Sequence, residues 1–139
     1  MHVFIADRDP LVRIMIRMVL LKGISDQNIS EASDGLSALN KIRLEPPEIL
    51  LIDLEIPGFS GLELVRSVRI KNKDIKIIAM LDFYNDTDMQ AVFEAGVNGF
   101  ILRNRHCEKL LQKISYLDNM GSDQWVCLND LQLPTTNIC

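Results

Sequence analysis

The chain has 139 residues, 47% of them hydrophobic and 24% charged, with a formal net charge of −4. That is enough for one domain with a real core, and the acidic balance argues against a nucleic-acid binder working through bulk positive charge. No apolar run reaches the length of a membrane span, and Asp7 interrupts the N-terminus too early for a signal peptide, so a cytoplasmic protein with no membrane contact is expected. Three cysteines, Cys107, Cys127 and Cys139, are irregularly spaced and spell out neither a disulfide framework nor a metal site.

The first element is Met1 to Ala6, an apolar strand that runs into Asp7, Arg8 and Asp9. Pro10 opens a helix reaching to Leu21, as proline does at a first helical position. Met15 and Met18 lie at helical spacing with Leu11, Val19 and Leu21 and are read as core, and Gly23 ends the helix. Asn28 to Ala32 is a short strand. Ser33 or Asp34 caps a second helix whose apolar stripe is Leu36, Leu39 and Ile42, stopped by Pro46 and Pro47. Ile49 to Ile52 is a continuous apolar run ending in Asp53, the pattern of a strand buried on both faces of a parallel sheet. Pro57, Gly58 and Gly61 give the next loop its turn chemistry.

Ser60 caps a third helix carrying Leu62, Val65 and Val68. Ile75 to Leu81 is a strand, and Asp82 to Asn85 a loop. Asp86 caps a fourth helix with Met89, Val92 and Phe93 apolar, and Gly96 ends it. Asn98 to Leu102 is the last strand of the alternation. Asn104 caps a fifth helix with Leu110, Leu111, Ile114 and Leu117. Strand and helix alternate five times, which predicts a parallel sheet with right-handed crossovers. Residues 119–139 fall outside the pattern as a tail or linker stub, and 125–133 read either as a small hairpin or as unstructured linker. His2 and His106 read as surface residues.

Two strands that each end in acid bring Asp7 and Asp53 together at the carboxyl edge of the sheet, where open α/β folds place their sites. Paired oxygen donors suit a hard cation such as Mg²⁺. Ala6-Asp7 through Pro10-Leu11-Val12-Arg13, Leu51-Ile52-Asp53 through Ser60-Gly61, and Glu94-Ala95-Gly96-Val97-Asn98-Gly99-Phe100 stand in the order and spacing of a known family. Over residues 1–118 the chain resembles the receiver domain of two-component response regulators.

The resemblance implies a flavodoxin-like, doubly wound α/β fold: five parallel strands in the order 2-1-3-4-5 and five helices. It implies signalling rather than enzymatic turnover, with a sensor histidine kinase or phosphotransfer protein as partner. It casts Asp53 as phosphoacceptor and Asp7, Asp53 and the Glu55 backbone carbonyl as Mg²⁺ ligands, with Asp9 one residue out of register as a further candidate. Arg103 and the backbones of Leu81 and Asp82 would contact the phosphoryl group. Met89, Phe93 and Phe100 would form the switch face, and a homodimer would use the fourth helix, fifth strand and fifth helix.

The chain departs from the family at three positions. Arg8 replaces an acid, Leu81 a hydroxyl residue and Arg103 a lysine. Two unit charges about 4 Å apart interact by roughly 4 kcal/mol at an effective dielectric near 20. A guanidinium beside Mg²⁺ would be repelled by about twice that, so an inward Arg8 and a bound Mg²⁺ are nearly exclusive. Inward, Arg8 pairs with Asp53 as a built-in cation; outward, it reaches solvent. The expected Mg²⁺ binding is weak or absent. The alternatives are a phosphorylation-independent pseudo-receiver acting through protein contacts, or a small flavodoxin-like enzyme, which the lack of a G-x-G-x-x-G or P-loop motif disfavours.

Overall fold

The computed structural model describes residues 1–83, 86–103, 110–119, 126–127 and 135–136, with backbone alone at 86–88, 126–127 and 135–136. The alternating elements are β1 (Val3–Ala6), α1 (Pro10–Leu20), β2 (Ile29–Ala32), α2 (Gly35–Leu44), β3 (Ile49–Asp53), α3 (Gly61–Lys71), β4 (Lys76–Leu81), α4 (Asp86–Ala95), β5 (Gly99–Leu102) and α5 (Leu110–Asp118). The strands are parallel in the order β2-β1-β3-β4-β5, the doubly wound order expected.

Period-two alternation splits the core into two layers. Val3 and Ile5 of β1, with Ile49 and Leu51 of β3 and Ile78 and Met80 of β4, pack against Val12, Ile16 and Leu20 of α1 and Leu110, Ile114 and Leu117 of α5. Phe4 and Ala6, Leu50 and Ile52, and Ile77 and Ala79 face the other way, onto α2, α3 and α4. Every residue of β1 and β3 is buried, which is why neither strand shows alternation in sequence.

Capping chemistry starts the helices. Asp9 is the N-cap of α1: its Oδ1 accepts from the Leu11 N–H at 2.9 Å, and Pro10 takes the first helical position. Asp34 caps α2 by accepting from the Ser37 N–H at 2.8 Å. Ser60 sits at the N-cap of α3, but its hydroxyl makes no capping bond. Gly96 ends α4 at φ 114, a region closed to most side chains. The positions read for Asn104 and Trp125 lie outside the described residues.

Four expectations need correction. Met15 and Met18 are not core: with Leu11 and Leu21 they are exposed, and the buried stripe of α1 is Val12, Ile16 and Leu20. Those three recur every four residues and meet the strands, whereas the methionines lie on the opposite side. Leu36 is likewise exposed, and Ala38 joins Leu39 and Ile42 as the buried face of α2. The C-cap of α1 is Leu21, and Gly23 follows in the turn without a left-handed backbone. In the tail, β6 (Val126–Cys127) pairs antiparallel with β7 (Thr135–Thr136), a partner further along the chain than 131–133, and β6 lies near β5.

Candidate functional site

Strand register assembles the site. Ala6 pairs with Ile52 and Leu81 with Leu102, so the next residues, Asp7 and Asp53 on one side and Asp82 and Arg103 on the other, meet at the same carboxyl edge. The loop after β3 is held close to this edge. A Cβ at Gly61 would stand 2.6 Å from the Cα and carbonyl oxygen of Leu54, so only glycine lets α3 begin there.

Asp7 and Asp53 are fully buried. Arg8 turns inward. Its Nη1 donates to Asp53 Oδ1 at 2.7 Å, its backbone N–H donates to Asp53 Oδ2 at 3.2 Å, and the Glu55 N–H donates to Asp53 Oδ1 at 2.9 Å. Arg103 clasps Asp7 with two parallel bonds, Nε to Oδ2 at 2.9 Å and Nη2 to Oδ1 at 2.6 Å, and the same Nη2 lies 3.8 Å from Asp53 Oδ2. The two buried carboxylates are therefore neighbours, sharing one guanidinium nitrogen.

Asp82 closes the cluster through its side chain. Its Oδ2 accepts from Arg8 Nη2 at 2.8 Å, and its Oδ1 accepts from Arg103 Nη1. Three carboxylates and two guanidiniums thus make one continuous network, one carboxylate in excess. Burial pushes the Asp53 carboxyl above its ordinary pKa, with the donated backbone N–H groups of Arg8 and Glu55 opposing and the Asp7 charge adding to the rise. Asp82 responds the other way: partial burial would raise it, but hydrogen bonds from Arg103 and Arg8 hold it below the usual carboxylate range. The Asp7 hydrogen bond, against the cost of burial, lifts Arg103 further above the guanidinium range.

The other expected residues are placed as follows. Asp9 caps α1, its Oδ1 accepting from the Leu11 N–H. Glu55 meets Asp53 through its N–H. Leu81 is partly buried against the apolar core, and its carbonyl accepts the Arg103 N–H at 2.8 Å. Phe100 is buried and its ring meets Phe93 at 6.0 Å between centroids, tilted by 59°. Met89 and Phe93 pack against the same core layer.

Receiver domains typically use Mg²⁺, and the residues present do not fit it. Arg8 Nη1 already engages Asp53 Oδ1, and Arg103 engages both oxygens of Asp7. Among the described residues, no group of three carboxylate, imidazole or thiolate side chains could hold a metal ion.

The side chain of Asp82 is the residue that the sequence reading missed, having used its backbone alone. The signal was present: Ile77-Ile78-Ala79-Met80-Leu81 is an apolar strand running into acid, as in β1 and β3.

Residues 3–115 match the family model described as "Response regulator receiver domain", and the chain belongs to that family. Such receiver domains are signalling modules of two-component systems. Among curated relatives it is 30% identical over 113 residues to the nitrate/nitrite response regulator protein NarP of Escherichia coli K12, covering 81% of this chain and 53% of that one. It is 32% identical over 116 residues to the response regulator UvrY of the same organism, covering 81% and 52%. The chain thus spans about half the length of these relatives. Among solved structures, the fold is similar to the chemotaxis response regulator CheY4 of Vibrio cholerae (TM-score 0.76, 22% identity, 84% of this chain and 97% of that one). It is also similar to the non-phosphorylated receiver domain of RcsB from Escherichia coli (TM-score 0.73, 24% identity, 84% and 92%). Among the described residues no helix is long and apolar enough to cross a membrane.

Proposed function

We propose that this chain is an atypical receiver in which the Arg8 guanidinium stands in for the divalent cation, so that Mg²⁺-dependent phosphorylation of Asp53 is weakened. The observation that carries this reading is the 2.7 Å bond from Arg8 Nη1 to Asp53 Oδ1. A buried acid left beside Asp7 with no counter-charge would be costly, and Arg8 supplies the charge from within the chain. A cation that is covalently part of the protein does not exchange with solution, so Asp53 keeps its counter-charge at any Mg²⁺ concentration.

The partner is a sensor histidine kinase or phosphotransfer protein, read from family membership, and the chain itself works in the cytoplasm. If the phosphoryl group is not accepted, the same surface works as a phosphorylation-independent interaction module. The packed-in Phe100 and the hydroxyl-free Leu81 favour this second reading, because neither offers a group that would move in response to a phosphoryl oxygen. A homodimer through α4, β5 and α5 remains part of the proposal.

Mass spectrometry after incubation with acetyl phosphate and Mg²⁺ tests the reading. The wild-type chain should gain little phosphoryl mass. Arg8→Asp should gain it, and Arg8→Asp combined with Asp53→Asn should not. Rapid, Mg²⁺-dependent and complete modification of the wild type would refute the proposal.

A further inference from the structure

The two lateral edges of the sheet differ in what lies beyond them. β5, the last strand on one side, has β6 near it. β2, the last strand on the other, pairs with β1 alone among the described residues. A strand at an edge turns the N–H and C=O of every second residue outward, where another chain can hydrogen-bond to them. The Asp7 N–H donates to the Ala32 carbonyl, so Ser30 and Ala32 face β1 while Ile29 and Glu31 face out.

Both outward carbonyls are taken, and by side chains from different helices. Arg17 of α1 donates through Nη2 to the Ile29 carbonyl at 3.2 Å, and Lys41 of α2 donates through Nζ to the Glu31 carbonyl at 2.9 Å. The Ile29 N–H is turned back onto the Asp26 carbonyl. Arg17 is anchored in this position, its Nε donating to Glu31 Oε2 at 2.6 Å and its Nη1 to Asp26 Oδ1. Water readily satisfies carbonyls at a surface; here two long charged side chains give up rotamer freedom to do so. We propose that Arg17 and Lys41 are guards that close the β2 edge against strand pairing with a second copy of this chain.

A second copy is the occupant that this edge fits. Open edges invite pairing between identical chains, and a short strand with lysine beside it is a common protection; β2 has four residues. An antiparallel pair centred on Ser30 would set Ile29 of each copy opposite Glu31 of the other, the closed and self-complementary geometry of a twofold dimer. The Glu31 N–H of each copy would then donate to the Ile29 carbonyl of the other, the carbonyl that Arg17 covers. A cavity of roughly 470 Å³ beside the edge, with Arg17, Ile29, Ser30, Lys41 and Leu44 in its lining, leaves room for an incoming backbone. Leu44 is 88% exposed there, apolar surface that a second copy would cover.

Light scattering coupled to gel filtration, with hydrogen exchange, reads the edge. Arg17→Ala with Lys41→Ala should double the mass relative to the wild type at the same concentration, and the Glu31 amide should exchange more slowly in the doubled species. Arg17→Met with Lys41→Ala keeps the apolar stem of the arginine on α1 and should behave the same where the alanine variant folds poorly. Adding Glu31→Pro removes the outward N–H and leaves the bonds to β1 in place, so the mass should return to the wild-type value. Wild-type mass in the folded double variants would overturn the proposal, as would a doubling that survives Glu31→Pro. Self-association through α4, β5 and α5 is common to the wild type and the variants and cancels in the comparison. No readout involves Arg8, Asp53 or a metal ion, so the result is independent of the chemistry at the carboxyl edge.

Discussion

Asp82 shows how one carboxylate can set the chemistry of an edge. Its folded pKa lies below the ordinary 3.8 because two guanidiniums stabilise the charged form. The sign follows from linkage: an acid with a depressed pKa contributes stability that is fully present above 3.8 and is lost as pH falls through the folded value. Asp82→Asn should therefore be less stable than the wild type at pH 5, with the difference shrinking as pH drops below 3.8. Urea midpoints measured in that window check this. A difference that stays constant with pH would mean that Asp82 contributes through shape and not charge. The residue was within reach of the sequence, because β4 ends in acid as β1 and β3 do. Arg8 was recognised as the altered residue, but a long side chain has both an inward and an outward option, and only the register that places Asp82 opposite it decides the matter.

Among the elements, the joint between α3 and the α4–β5 turn depends on one side chain. The Arg69 guanidinium donates to the carbonyls of Gly96, Asn72, Lys73 and Ile75 and to Asn98 Oδ1. Asn98 Oδ1 also accepts from the Ile77 N–H at 2.8 Å, which ties the joint to β4. A Cβ at Gly96 would stand 2.9 Å from Arg69 Cγ, so the glycine answers both a backbone angle and a close approach. Arg69→Ala should cost about 2–4 kcal/mol, since several carbonyls lose a charged donor at once. Denaturant unfolding of this variant measures it, and a loss under about 0.5 kcal/mol would show that water replaces the guanidinium. Sequence periodicity placed α3 well but said nothing of Arg69, which reads as one more charge on a polar face. The same blindness explains α1. Both Val12-Ile16-Leu20 and Leu11-Met15-Met18 have helical spacing, and spacing alone does not say which stripe meets the sheet.

Over the whole molecule, the fold was legible because continuous apolar strands alternate with capped helices, and each signal agrees with the others. The edge chemistry was legible only in part, because it depends on which long cationic side chains turn inward. Two layers of helices cover the sheet, burying β1, β3 and β5 throughout, and leave its carboxyl edge as the place where charge is concentrated. There the chain carries its own cations just past the ends of β1 and β5, where the family typically recruits one from solution. The account therefore stands on whether Arg8 fills the position of the metal. Isothermal titration with Mg²⁺, comparing the wild type with Arg8→Asp, measures this most directly. The account predicts no saturable binding by the wild type in the low millimolar range and a gain of at least about tenfold in affinity, or 1.4 kcal/mol, in Arg8→Asp. Equal Mg²⁺ affinity in the two proteins would contradict it.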